Sequence, residues 1–87
     1  MKLATKHVEA FLIQVEEEVG NHRLREFCAN FAAHPVDLDH PEEQSSEMQD
    51  LFATMLEYCE AARLRAVLQE LAENGEHYVS FLIDRDE

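Results

Sequence analysis

The sequence predicts an all-α fold, a compact antiparallel bundle of five to six helices in a single domain spanning residues 1–87. Three observations predict it. Apolar residues recur at i, i+3, i+4 and i+7 through most of the chain. Two Gly and two Pro are too few for an all-β chain, which needs turn residues every ~8–12 positions. The one segment with strand-like content, residues 77–83 (HYVSFLI), has no second strand to pair with, and a lone strand leaves its backbone groups unpaired.

The first helix is expected over 5–19, where Val8, Phe11, Leu12, Val15 and Val19 form one face. Gly20 supplies a positive φ to end it, and Asn21 is placed to cap the next helix through its side-chain oxygen. A second helix over about 22–33 carries the stripe Leu24, Phe27, Cys28 and Phe31. Pro35 disfavours helical backbone at His34 and closes it. Residues 34–45 are the one long irregular stretch. Val36 and Leu38 are its expected anchors to the core, and Pro41 suits the first position of a short helical turn.

Ser46 and Gln49 read as a capping box ahead of the strongest stripe in the chain, Met48, Leu51, Phe52, Met55, Leu56 and Cys59. The phase then changes. Leu64 lies five residues past Cys59, about 140° round an ideal helix, and opens a second stripe with Val67, Leu68 and Leu71. A break near Ala61–Arg63 reconciles the two. Asn74-Gly75 reads as a stop. Tyr78, Phe81 and Leu82 then fit a last helix.

Charge narrows the function. Seven Lys or Arg against nineteen Asp or Glu give −12. Nucleic-acid backbones and anionic membranes are polyanions and repel such a surface. No run approaches the ~18 apolar residues of a membrane span, and the N-terminus lacks a signal-peptide pattern, so a cytoplasmic protein is expected. Cys28 and Cys59 fall on apolar stripes and read as buried thiols rather than a disulfide or an exposed nucleophile.

The five histidines match no metal-ligand spacing. The segment DLDHPEE lacks the Gly of a calcium loop. No metal or other cofactor is expected, and no catalytic residues. Glu16-Glu17-Glu18 and Glu42-Glu43 read as solvated charge. The scarce basic residues say more. Arg23 and Arg25 flank Leu24, and Arg63 and Arg65 flank Leu64, each pair near a helix start. They are candidates for a basic interaction face, with Asp37, Asp39, Glu42 and Glu43 as an acidic counterpart. Local ion pairs with Glu26, Glu60 or neighbouring carboxylates are the competing account, each worth ~0–1 kcal/mol.

LREFC at Leu24–Cys28, the loop residues Asp37-Leu38, and LFATMLEYCEAARLRAVLQEL at Leu51–Leu71 together resemble bacterial effector-associated domains of the death-like fold. These are architectural relatives of caspase-recruitment and death domains. The resemblance covers roughly residues 21–73. Glu57-Tyr58 and Arg63-Leu64 stand at places comparable with the family's Tyr-Leu-Glu-Arg-like and Gly-Arg-Leu-like segments, with Ala62 where the family usually has Gly. It implies a six-helix bundle without catalytic residues. It also implies an adaptor that recruits or activates an effector in bacterial defence by binding a matching domain or itself. Complementary charged faces would set partner choice. The alternative is a stand-alone acidic regulator, such as a phage-type inhibitor or DNA mimic.

Overall fold

A computed structural model describes residues 4–34 and 40–86. These form α1 (Thr5–Val19), α2 (Asn21–Ala33), a 3₁₀ turn (Pro41–Glu43), α3 (Ser46–Leu56) and α4 (Ala61–Asp86), with no strand among the described residues. The radius of gyration is 11.8 Å, close to the ~12 Å expected of a folded chain of this length. The architecture is all-helical; the described residues form four α-helices, the last of them two helical stretches joined at a kink.

The stop expected at Asn74-Gly75 is a kink, where one helical stretch ends and the next begins. Asn74 leaves helical geometry at φ −131°, ψ 29°, and the helix resumes beyond it, so α4 is one bent element. Gly75 shows why a glycine stands at the bend. A Cβ built on it would lie 2.2 Å from the Cβ of Ala32. The backbone of α4 therefore approaches α2 at a distance that only glycine allows. Residues 77–83 are helical, as expected.

Gly20 joins α1 to α2 at φ 94°, ψ 148°, a region that L-residues rarely adopt. Its N–H closes α1 on the Glu16 carbonyl at 2.8 Å, and its own carbonyl accepts from Leu24 at 3.2 Å to open α2. Asn21 does not cap α2 as anticipated; Gly20 holds that position and no side chain caps it. The Asn21 amide instead donates to the Glu16 carboxylate at 2.9 Å and to the Leu82 carbonyl at 3.1 Å. Arg85 donates to the same Glu16 oxygen at 2.6 Å. One carboxylate thus ties together α1, α2 and the end of α4.

The cap of α3 also shifts by one residue. Ser45, not Ser46, is the N-cap, accepting from the Met48 N–H at 3.3 Å, while Gln49 reaches back to the Gln44 carbonyl at 2.8 Å. At the other end, Glu57 and Tyr58 donate to the carbonyls of Thr54 and Met55, both at 3.1 Å. This tight turn ends the helix at Leu56. The break between the two apolar stripes therefore falls at residues 57–60, ahead of the expected Ala61–Arg63, and Cys59 lies outside both helices.

The core gathers Val8, Phe11, Leu12 and Val15 of α1, Leu24, Phe27, Cys28 and Phe31 of α2, and Leu51, Phe52 and Met55 of α3. From α4 come Leu64, Val67, Leu68 and Leu71 before the kink and Tyr78 and Leu82 after it. Phe27 is its aromatic hinge, meeting Phe52 edge-on at 5.8 Å and Phe31 at 5.9 Å. The largest helix–helix interface is between α2 and α4. These two run antiparallel, Asn21 meeting Leu82 while Ala32 meets Gly75. Against α1 the end of α4 runs in the same sense, since contacts advance from Thr5–Tyr78 to Glu16–Arg85. The bundle is therefore not uniformly antiparallel.

Two expectations about the core need correction. Leu56 belongs by spacing to the α3 stripe, yet it is 48% exposed because the helix ends on it and the chain turns away. Cys28 is fully buried, whereas Cys59 is only partly so. The anchoring expected of Val36 and Leu38 lies outside the described residues.

Candidate functional site

The four arginines singled out by sequence differ in setting. Arg23 on α2 reaches across to α3, with Nε 3.6 Å from Glu47 and Nη2 3.9 Å from Asp50. It is engaged within the fold, with carboxylate partners on α3. Glu26 lies 3.8 Å from His22. Arg25 is half-buried on α2, and both Arg25 and Arg65 have interaction partners. Arg63 and Arg65 are exposed in the first turns of α4.

On the acidic side, Glu42 and Glu43 are exposed in the 3₁₀ turn, and His40 lies 3.5 Å from Glu42. Asp37 and Asp39 lie outside the described residues. Among the described residues no group of three or more His, Cys, Asp or Glu is placed to hold a metal ion.

Arg23 borders a cleft between α2 and the start of α3, about 210 Å³ in volume and lined by Glu26, Phe27, Asn30, Ser45, Glu47 and Met48 among others. Its floor is core and its rim is charged. Arg23 and its partner Glu47 both line it.

A second polar group sits beside the kink. Glu70, the one buried charged residue described, is 5% exposed and accepts from the Asn74 amide at 3.2 Å. Tyr78 is buried one turn further on and hydrogen-bonded with Thr5. Burial pushes its phenol up, and the Glu70 and Glu9 charges add to that push. His77 meets Glu9 at 3.0 Å. These contacts hold the N-terminal turn of α1 against the second half of α4, and their side chains are occupied with one another.

The thiols are poor nucleophiles by environment. Desolvation pushes Cys28 up from 9.0 to about 12. Burial also raises Cys59, against a smaller downward pull from Arg63. Both remain thiols at neutral pH.

The surface feature that sequence reasoning missed is the corner where α3 turns into α4. Leu56 and Tyr58, two residues apart, are 48% and 39% exposed. Tyr58 is hydrogen-bonded with Glu18 at the end of α1, and Glu17 and Glu57 lie within electrostatic range. Desolvation pushes the phenol up, and these carboxylates push it the same way. Glu60 starts α4, its carbonyl accepting from Leu64 at 2.9 Å, and Arg63 follows one turn later. An apolar pair is thus presented inside a ring of charge. The change of phase after Cys59 is the one signal of it in the sequence. A phase change marks a bend between stripes, but it does not say that side chains at the bend stay exposed.

No protein-family model, no curated protein and no solved structure matches the chain. No described helix is long and apolar enough to cross a membrane.

Proposed function

We propose that this chain is a protein–protein interaction domain, an adaptor or recruitment module working without catalysis of its own. Within that class, we propose the death-like type that its central sequence resembles, docking on a matching domain or a second copy to recruit or activate an effector. The observation that carries the reading is the α3–α4 corner, where Leu56 and Tyr58 stand exposed among charged side chains. Aromatic and aliphatic side chains ringed by polar ones are the usual centre of an interface. The all-helical fold and the unactivated thiols accord with it.

A photo-crosslinking residue at position 56, compared with one at the exposed Gln14 of α1, tests this in cells that make the protein. Adducts of one defined mass from position 56 and none from position 14 are expected. That mass separates a second copy from a different protein. No adduct at 56, or equal labelling at both positions, would contradict the proposal.

A further inference from the structure

Several features of the surface compete for a role. The α2–α3 cleft is lined by the chain's own ion pair of Arg23 with Glu47. The His77–Glu9 and Glu70–Asn74 contacts are satisfied within the fold. Ile83 is a single exposed apolar side chain near the end of α4, whereas the α3–α4 corner presents two, Leu56 and Tyr58, with carboxylates beside them. Glu17 and Glu18 from the end of α1 and Glu57 from the turn lie beside Tyr58, Glu60 is exposed at the start of α4, and Arg63 lies near Cys59. Glu17, Glu18, Glu57 and Glu60 are all on helix ends or in the turn, where their heads reach solvent.

We infer that this corner docks a basic, amphipathic segment of a partner protein, a helix or turn carrying a Leu-like side chain flanked by Lys or Arg. The inference rests on the interaction reading above and names the partner's chemistry. The apolar part of such a segment would cover Leu56 and the Tyr58 ring, removing from water two side chains that the fold leaves wet. Its cations would face the Glu17, Glu18, Glu57 and Glu60 heads. The Tyr58 ring adds a face for one cation, as aromatic faces do.

Charge favours such a segment over the identical corner of a second copy. The chain carries −12 overall, so two like corners repel. A cationic partner is instead steered toward the corner, with a rate that falls as salt screens the field.

The test is a titration of the ¹⁵N-labelled chain with two synthetic peptides of the same Leu spacing, one with Lys and one with Glu at every polar position. The Lys peptide is expected to shift amides at 17–18 and 56–60. Its affinity should fall roughly tenfold or more in raised salt. It should also fall at least tenfold in Glu17→Lys/Glu18→Lys and in Leu56→Ser. The Glu peptide should not bind.

Shifts spread evenly over other acidic positions such as Glu47, Asp50 and Glu73 would overturn the inference. So would equal binding of the Glu peptide, or a Leu56→Ser variant that binds like the parent. If the peptide fails while crosslinking at position 56 succeeds, the corner stands as an interface and its basic partner falls. A crosslinked second copy overturns the basic partner in the same way. If both experiments fail, the interaction reading falls with it.

Discussion

Where α2 crosses α4, Ala32 and Gly75 meet so closely that one added methyl group has no room. Where α3 turns into α4, Leu56 and Tyr58 project into water with nothing of the fold against much of their surface. Both places come at the end of apolar stripes at helical spacing, and both include a change of direction. They differ in the path the chain takes beyond its last apolar residue. After Leu71 the chain bends within a helix and stays against its neighbour. After Leu56 it leaves the helix through a tight turn. The first arrangement uses its apolar residues for stability, and the second leaves them exposed.

Substitutions can break this contrast from the stable side first. Leu71→Ala or Met55→Ala, both at fully buried positions, should cost ~2–5 kcal/mol in urea unfolding. Leu56→Ala should cost under about 1 kcal/mol, as surface changes do. Equal costs would mean that Leu56 is a core residue. Gly75→Ala is the next largest. Alanine favours a helix over glycine by up to ~1 kcal/mol, so propensity alone predicts a gain. The 2.2 Å approach to Ala32 predicts a net loss of ~1–3 kcal/mol from overpacking. Ala32→Gly in the same chain should restore part of it. A more stable Gly75→Ala would show that the helices cross further apart.

The pH dependence sharpens the same comparison. Folding holds Cys28 protonated up to about pH 12, against 9.0 for the free thiol. Between those values the unfolded chain has lost a proton that the folded one keeps. Stability therefore falls as pH rises from 9, by up to ~1.4 kcal/mol per pH unit. Cys28→Ala should flatten that slope, and an unchanged alkaline limb would rule the thiol out as its source. With a thiol reagent at neutral pH, Cys59 should react well before the fully buried Cys28. The smallest effect expected is at the other end of α1. Arg85→Ala removes the 2.6 Å contact with Glu16 and should cost about 1 kcal/mol or less, with the loss shrinking in high salt.

Much of the fold was legible in the sequence because it rests on short-range pattern. The span of α1, the stripe of α2, the positive φ of Gly20 and the helical turn at Pro41 each depend on a few adjacent residues. The misses share a different cause. Asn21 has the right chemistry for a cap, but partners on α1 and α4 claim its amide. At Asn74-Gly75 the break in helical geometry was legible, but not the glycine's contact with Ala32 of α2, far earlier in the chain. Leu56 has the spacing of a core residue, and only the direction of the turn after it exposes it. Likewise the partners of Arg23, Glu47 and Asp50, become its neighbours only once α2 packs on α3. Local residues set the helices; distant ones decide which surfaces are used up in joining them.

One variant tests the division of labour directly. Leu56→Ser should keep the parent's urea midpoint to within about 0.5 M, at a slope of roughly 1 kcal/mol per M, while losing at least tenfold in affinity for the Lys-bearing peptide. A midpoint lowered by about 2 M or more, or unchanged peptide binding at an unchanged midpoint, would contradict the account. The first result would put Leu56 in the core, and the second would remove the corner as the docking surface.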